Sequence, residues 1–222
     1  MVRDDRPVVE EGAWRLAWRQ PVFRAWILVL SGSAGFIAWG LPRFFAALEA
    51  RSGGLPFDPV IPHFAPADLS WLTFAILYGT LAPGLWRLLA RPWWLVRALA
   101  GYLCLTAFRV VTLWSFTLEP PATIIPLEDP LTQFFYPGAT PFLKDLFFSG
   151  HTATLALLAC ALPTGPLRIW TMAATVAIGS LVIAQHVHWT VDVLAAPFFA
   201  LAAWWCSGRL PGMGAAMRSA FA

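Results

Sequence analysis

A chain of 222 residues with 59% hydrophobic and only 12% charged residues is not a soluble globular domain, because such domains carry roughly 25% charged residues. The mean hydropathy of +0.65 and the 13 tryptophans predict an integral membrane protein instead. The net charge of +3 indicates no nucleic-acid partner, since the surplus arginines fall in short segments between apolar stretches, where membrane topology accounts for them.

The first segment, residues 1–24, carries arginines that alternate with large apolar residues, and it predicts a cytoplasmic stretch that includes an interfacial amphipathic helix. Six uncharged stretches follow, the third of them interrupted by Arg109. Each is close to the ~20 residues that cross a hydrocarbon core of about 30 Å. They are 25–41, 69–86, 98–118, 152–167, 169–187 and 189–207.

We therefore predict an all-α, polytopic membrane protein with six transmembrane helices. Residues 25–207 form one membrane catalytic domain, and residues 208–222 form a cytoplasmic tail. The fourth stretch is short for a span unless residues 146–148 extend its helix or the bilayer thins around it.

Basic residues are distributed unequally between the two sides of the predicted spans. Eleven arginines precede the first span, lie between the second and third or the fourth and fifth spans, or follow the last span. Only Arg43, Arg51 and Lys144 lie on the other side. By the positive-inside rule both termini are cytoplasmic, and the proline-rich loops 51–68 and 119–150 are exoplasmic. In a bacterium, which the excess of arginine over lysine suggests, the protein would lie in the inner membrane.

Two polar motifs interrupt the apolar sequence. The first is SGHT, residues 149–152, and the second is HVHWTVDV, which places His188 and Asp192 four residues apart. On a helix such residues share a face, so Asp192 can accept a hydrogen bond from one nitrogen of His188 and leave the other basic. Ser149 and Gly150 leave backbone N–H groups at a positive helix end, a site for a phosphate oxygen, with His151 beside them as proton donor.

Each of these residues also has a simpler interpretation. His151 could be an interfacial histidine and Asp192 a buried structural carboxylate, although a bare carboxylate inside a membrane needs a partner. Arg109 lies halfway along the third span, and this costly position favours an anion-binding role for it. The alternative is a structural ion pair, for which Glu119 is the obvious partner. His186 is expected to form hydrogen bonds without a chemical role, and His63 to be plain surface.

The cysteines predict no metal site and no disulfide. Cys104, Cys160 and Cys206 all fall in apolar stretches without metal-type spacing, and they are expected to be small core residues. No cofactor is predicted.

The two histidine motifs, together with Arg97, Arg109, Thr112, Leu118 and GGLPFD at 53–58, resemble sphingomyelin synthase and its ceramide phosphoethanolamine synthase relatives. This family is a branch of the type 2 phosphatidic acid phosphatase superfamily, and the resemblance covers residues 25–207. It implies six transmembrane helices and a catalytic triad of His151, His188 and Asp192 that opens on the exoplasmic side. Asp145 matches the acidic position ahead of SGHT.

The resemblance also implies the reaction. A phosphocholine- or phosphoethanolamine-type group moves from a glycerophospholipid to a ceramide-like alcohol through a phosphohistidine, and diacylglycerol is released. The partners are then a phospholipid donor, a lipid alcohol acceptor and membrane lipids; a homo-oligomer stays open. The substrate-binding residues are Arg109, Asp145, Ser149, Gly150 and Trp189, and a cationic head group would contact Trp189 or the aromatics Phe134, Phe135 and Tyr136.

Departures from the family patterns separate the alternatives. Lipid phosphatases of the superfamily carry a Ser-Arg pair where this chain has Leu181 and Val182, and a lysine where it has Gly84, which favours the synthase branch. Within that branch Trp189 replaces the usual tyrosine and Lys144 a glycine, which leaves the donor head group open. A lipid phosphatase or phospholipase C-type hydrolase with the same triad is the main alternative, and a non-catalytic membrane scaffold is the third.

Overall fold

The computed structural model describes residues 12–130 and 141–214, and these residues form helices joined by irregular loops. In chain order the helices are α1 (Ala13–Arg19), α2 (Pro21–Glu49), a 3-10 turn (Ile61–His63), α3 (Ser70–Leu89), α4 (Pro92–Ser115), α5 (Gly150–Ala161), α6 (Pro166–Ala184) and α7 (Thr190–Arg209). The described ranges contain no β-strand, only an isolated bridge between Gly54 and Leu118. The predicted all-α membrane fold is confirmed.

Proline begins three of these helices. Pro21, Pro92 and Pro166 occupy the first turn of α2, α4 and α6, where the missing N–H would have no intrahelical partner in any case. The apolar runs then continue the helices until a loop sequence ends them. Helices α3, α6 and α7 begin and end within three residues of the predicted spans, whereas α2 ends eight residues later and α4 begins six residues earlier than predicted.

The number of spans differs from the prediction. Helices α2, α3, α4, α6 and α7 are long and apolar enough to cross a membrane, whereas α5 has 12 residues and is about 18 Å long. The six-span count is therefore not confirmed. Of the two alternatives for this short stretch, an extension of the helix through residues 146–148 is excluded, because the chain is not helical there. Leu146 and Phe148 are buried in protein, where non-helical backbone is tolerated at membrane depth.

Helix α5 lies at the centre of the bundle and packs against α3, α4, α6 and α7. Small residues permit close packing around it. Ala196, Ala200 and Ala203 form a fully buried face on α7, and Gly101 on α4 lies against Leu157 of α5. A short helix enclosed in this way presents its first turn at the outer end of the bundle and needs no lipid-facing surface of its own.

Helix α2 lies at the periphery. It packs against α4 and α1, and most of its residues are exposed. Helix α1 covers only residues 13–19 of the predicted amphipathic segment, and residues 1–11 lie outside the described part. The Trp14 indole donates to the Leu89 carbonyl at 2.8 Å, so α1 is tied to the end of α3.

The loops 51–68 and 119–150, which we call the outer loops after the side predicted for them, are joined to each other. The Gly54 N–H donates to the Thr117 carbonyl and the Glu119 N–H donates back to the Gly54 carbonyl, both at 2.9 Å. A Cβ at Gly53 would lie 2.6 Å from the Leu118 carbonyl carbon, so this close approach requires glycine. The Gly53 N–H donates to a Glu119 carboxylate oxygen at 2.7 Å.

Candidate active site

His188 and Asp192 contact each other, but not as neighbours on one helix. Helix α7 begins at Thr190, so His188 lies in the turn before it, and its Nδ1 is 3.4 Å from Asp192 Oδ2. Both side chains are buried, with 3% and 0% exposure. The contact is long and poorly aligned, and neither His188 Nδ1 nor Asp192 Oδ1 has a hydrogen-bond partner. The predicted pair is therefore present, although the helical geometry invoked for it is wrong.

The cap of α7 brings the pair together. Asp192 occupies the third position of the helix, and its Oδ2 accepts the Trp189 N–H at 3.0 Å. This reciprocal cap folds the chain back so that His188 lies over the first turn. Because Asp192 fixes the turn and faces the imidazole, one carboxylate both shapes the local backbone and orients His188.

Asp58, which the sequence indicated only as part of the GGLPFD segment, supplies a second cap. Its carboxylate accepts the Thr190 N–H at 2.6 Å and the Thr190 hydroxyl at 3.0 Å, along with the N–H groups of Val60 and Ile61. Burial would raise the pKa of Asp58, but these hydrogen bonds outweigh burial and hold that pKa below its usual range. The first outer loop is thereby fixed beside His188.

The SGHT segment forms the start of α5. Ser149 is the N-cap residue, and its hydroxyl lies 3.1 Å from the Thr152 hydroxyl. Its backbone N–H donates to the Asp192 carbonyl at 3.0 Å, so the two histidine motifs are joined directly. His151 Nδ1 is buried without a partner, and the ring lies edge-on to Phe74 at 5.6 Å.

Arg109 reaches this site from α4. Its guanidinium forms an ion pair with Asp145 and donates to the Phe148 carbonyl. The predicted alternative partner, Glu119, instead pairs with Lys144 at 2.9 Å. A Cβ on Gly150 would lie 2.9 Å from Arg109 Cζ, so a larger residue there would displace the guanidinium that covers the start of α5. Two of the five guanidinium N–H donors are used, which leaves others for a ligand.

A cavity of about 330 Å³ leads to this group of residues. Its polar end contains Asp145, Arg109, Gly150 and His151. The rest of the wall is mostly apolar, with Tyr102, Thr106 and Thr154 as its polar members, and comes from α2, α3, α4 and α5. A cavity with a mostly apolar wall and charged residues at its polar end matches an amphiphile with an acyl chain and an anionic head.

Two further predicted residues make contacts of their own. Trp189 is nearly buried, and its indole N–H donates to the Glu119 carbonyl at 3.0 Å. Lys144 donates to Glu119 and to the Arg51 carbonyl, so its charge is matched within the loops. That ion pair is the main reason why the pKa of Glu119 is lowered. The aromatic residues Phe134, Phe135 and Tyr136 lie outside the described part of the chain.

The other histidines remain apart from this chemistry. His186 lies 2.6 Å from the Thr123 hydroxyl and is packed against Phe64, while His63 is exposed in its loop. Gln185, which sequence reasoning missed, is fully buried and joins the outer loop to α3 through Ser70 and Leu69. In residues 12–130 and 141–214 no group of three or more His, Cys, Asp or Glu side chains is arranged to hold a metal ion.

Residues 144–208, less than a third of the chain, match the family model described as PAP2 superfamily C-terminal. The matched stretch includes His151, His188 and Asp192 but not Arg109. The match supports the type 2 phosphatidic acid phosphatase superfamily, whose members are generally phosphatases or phosphotransferases, and thus an enzyme of phosphoryl chemistry on lipids. No curated protein and no solved structure matches the chain significantly.

Proposed function

We propose that this protein is a membrane phosphotransferase that moves a phospho-head-group from a glycerophospholipid to a ceramide-like lipid alcohol and releases diacylglycerol. The observation that carries the proposal is the meeting of His151, Arg109 and the start of α5 at the charged end of an apolar cavity. A water-soluble phosphate ester would gain nothing from the apolar wall, whereas a phospholipid uses both ends.

The first half of the reaction forms a phosphohistidine. His188, oriented through Nδ1 by Asp192, attacks the donor phosphorus with its other nitrogen, and the bond from phosphorus to the diacylglycerol oxygen breaks. Protonated His151 gives its proton to that departing oxygen. Arg109 and the N–H groups at the start of α5 bind the phosphoryl oxygens, where negative charge develops.

The second half reverses these roles. The acceptor hydroxyl attacks phosphorus, the bond from phosphorus to His188 breaks, and His151, now neutral, takes the hydroxyl proton. Charges and protons balance over the two halves, and no cofactor is required. Asp145 keeps its pairing with Arg109 throughout and acts as a positioning residue, because it fixes the guanidinium over Gly150.

Transfer is favoured over hydrolysis by the burial of the nucleophile. His188 and Asp192 are almost completely shielded, and the cap made by Asp58 holds the first outer loop beside them. Water competes poorly for an intermediate in such a place, while a lipid alcohol can enter along the apolar wall. A phospholipase C-type hydrolase or a lipid phosphatase uses the same triad and is the second candidate, supported by the superfamily match.

The decisive experiment supplies purified protein with a fluorescent glycerophospholipid, with and without ceramide, and resolves the products by mass spectrometry. We expect diacylglycerol in both cases, with ceramide diverting the head group from a water-soluble phosphate to a new sphingophospholipid. A matched reaction with His188→Ala protein reports background lipid exchange. If phosphatidic acid is the best substrate and no acceptor ever gains a head group, the hydrolase reading replaces this proposal.

A further inference from the structure

A second cavity lies at the opposite end of the bundle from His151. Its volume is about 570 Å³, and its wall includes Arg97, Leu201, Trp204, Trp205, Gly208 and Arg209. Arg97 is 12 residues before Arg109 on α4, so the two arginines are about 18 Å apart along the helix. This inner-end cavity is therefore separate from the active site.

Both arginines of the inner-end cavity are held by aromatic stacking. The Arg97 guanidinium lies 3.7 Å from the centre of the Trp204 ring, and the Arg209 guanidinium lies 3.3 Å from that of Trp205. Each also donates once to a backbone carbonyl of α7, at 3.3 and 3.4 Å. Stacking occupies the faces of the guanidinium groups and leaves most of their in-plane N–H donors unused.

Among the described residues, neither of these arginines has a counter-ion. In the part of the chain that the structure describes, no carboxylate forms an ion pair with Arg97 or Arg209. Arg97 Nε is also buried without a hydrogen-bond partner. Two fixed cations and an unpartnered donor around one cavity at the membrane edge are the features that bind a phosphate group.

We propose that the inner-end cavity binds the phosphate of an anionic phospholipid. The lipid source follows from the outward side of α7, where Leu201 is 57% exposed and Trp205 is 56% exposed, so that acyl chains can lie along this surface. A zwitterionic head group is disfavoured, because its own cation would meet two arginines. The proposal is independent of the reaction assigned to the outer site.

Native mass spectrometry of the detergent-solubilised protein tests this site, with dioleoylphosphatidylglycerol, dioleoylphosphatidylcholine and inorganic phosphate as probes. We expect phosphatidylglycerol to bind at least about fivefold more tightly than phosphatidylcholine. Arg97→Gln and Arg209→Gln should each weaken its binding by about fivefold, the factor typical of one arginine near anionic lipid. Arg91→Gln removes the same charge from an exposed position at the same end and should leave binding unchanged.

A further variant keeps every charge and should fold normally, so it separates loss of the site from misfolding. Gly208→Ala places a methyl group 2.7 Å from Arg97 Nη2 and displaces the guanidinium, while alanine improves the helix. It should weaken phosphatidylglycerol binding as Arg97→Gln does. Equal binding of the two lipids, equal loss in Arg91→Gln, or wild-type binding in all three cavity variants would overturn the proposal. Competition by millimolar inorganic phosphate would overturn the lipid assignment.

Discussion

At the residue scale, three buried polar atoms without hydrogen-bond partners belong to the residues proposed to do the chemistry. His151 Nδ1, His188 Nδ1 and Asp192 Oδ1 are all buried and lack hydrogen-bond partners. A buried polar atom left unpaired costs roughly 1–3 kcal/mol, so a structure retains such atoms where a ligand completes them. His151 lies at the charged end of the cavity, and the substrate is the natural partner for its Nδ1.

The first prediction concerns the triad. His188→Ala or Asp192→Asn should lower turnover by on the order of three decades or more, because a nucleophile and the group that orients it act as one unit. Head-group release measured by mass spectrometry on protein of matched expression checks this. His63→Ala, an exposed histidine in the first outer loop, serves as the control and should retain full activity. Normal turnover in either triad variant would remove the mechanism.

The second prediction concerns the guanidinium. Arg109→Lys should be nearly as damaging as Arg109→Ala, since an ammonium cannot hold Asp145 and the Phe148 carbonyl and still bind two phosphoryl oxygens. We expect kcat/KM to fall at least about a hundredfold in both variants. A lysine variant with near wild-type kcat/KM would show that only a positive charge is needed.

Sequence spacing predicted which residues meet better than it predicted how they meet. The interval between His188 and Asp192 identified the pair, but the contact arises from a cap that precedes α7. Arg109 was expected to turn to Glu119 if it formed an ion pair, yet its partner is Asp145, which the sequence indicated only as a match ahead of SGHT. Such partners lie 36 residues apart and are set by loop conformations that carry no periodic signal.

The start of α7 shows how elements cooperate at the scale of helices and loops. The first outer loop supplies Asp58 to Thr190, and α7 itself supplies Asp192 to Trp189. The Ser149 N–H then joins α5 to the same turn. His188 is thus positioned by three segments that are distant from one another in sequence. A substitution that disrupts any one of them should displace its imidazole.

The third prediction follows from Asp58 as a positioning residue. Asp58→Asn should lower kcat by about tenfold to a hundredfold with a smaller change in KM, since small displacements at a reacting centre are costly. Steady-state kinetics separate the two constants. Asp68→Asn removes a comparable cap at the Ser70 N–H, on the α3 side of that loop, and should leave kcat unchanged.

Asp58 also predicts a pH dependence of stability. Its folded-state pKa lies below the ordinary value of 3.8, so it stabilises the fold above that pH and loses this contribution as pH falls through the folded pKa. The melting temperature of wild-type protein should therefore exceed that of Asp58→Asn at pH 7, and the two should converge as the pH falls below 3.8 and through the folded-state pKa. A difference that persists unchanged in acid would exclude this titration.

Helix positions were predictable because long apolar runs leave few alternatives in a membrane. Helix α5 departed from expectation, since it begins at Gly150 after the Ser149 cap and ends at Ala161, six residues before the predicted end of the stretch at Leu167. Burial by four neighbouring helices permits this short element. That information resides in tertiary packing and not in local hydropathy.

At the scale of the whole molecule, charge is divided between the two ends. Every acidic residue in the described ranges belongs to the outer loops or the adjoining helix ends, where His151 and His188 lie. The other end contains Arg87, Arg91, Arg97, Arg168 and Arg209. Within the part of the chain that the structure describes, carboxylates lie near the outer site and none lines the inner-end cavity, so the two proposed sites differ in electrostatic character.

The last prediction concerns which end of the molecule faces the cytoplasm. In a background with Cys104, Cys160 and Cys206 replaced by alanine, a cysteine at Phe57, which is 91% exposed, should react with a membrane-impermeant maleimide applied to intact cells. A cysteine at Gly12 should react only after permeabilisation, because α2 lies between the two positions and the arginine bias places the chain's start inside. Labelling of Gly12 alone would invert the molecule and move the active site to the cytoplasmic face. Labelling of both positions in intact cells would mean that α2 does not cross the membrane.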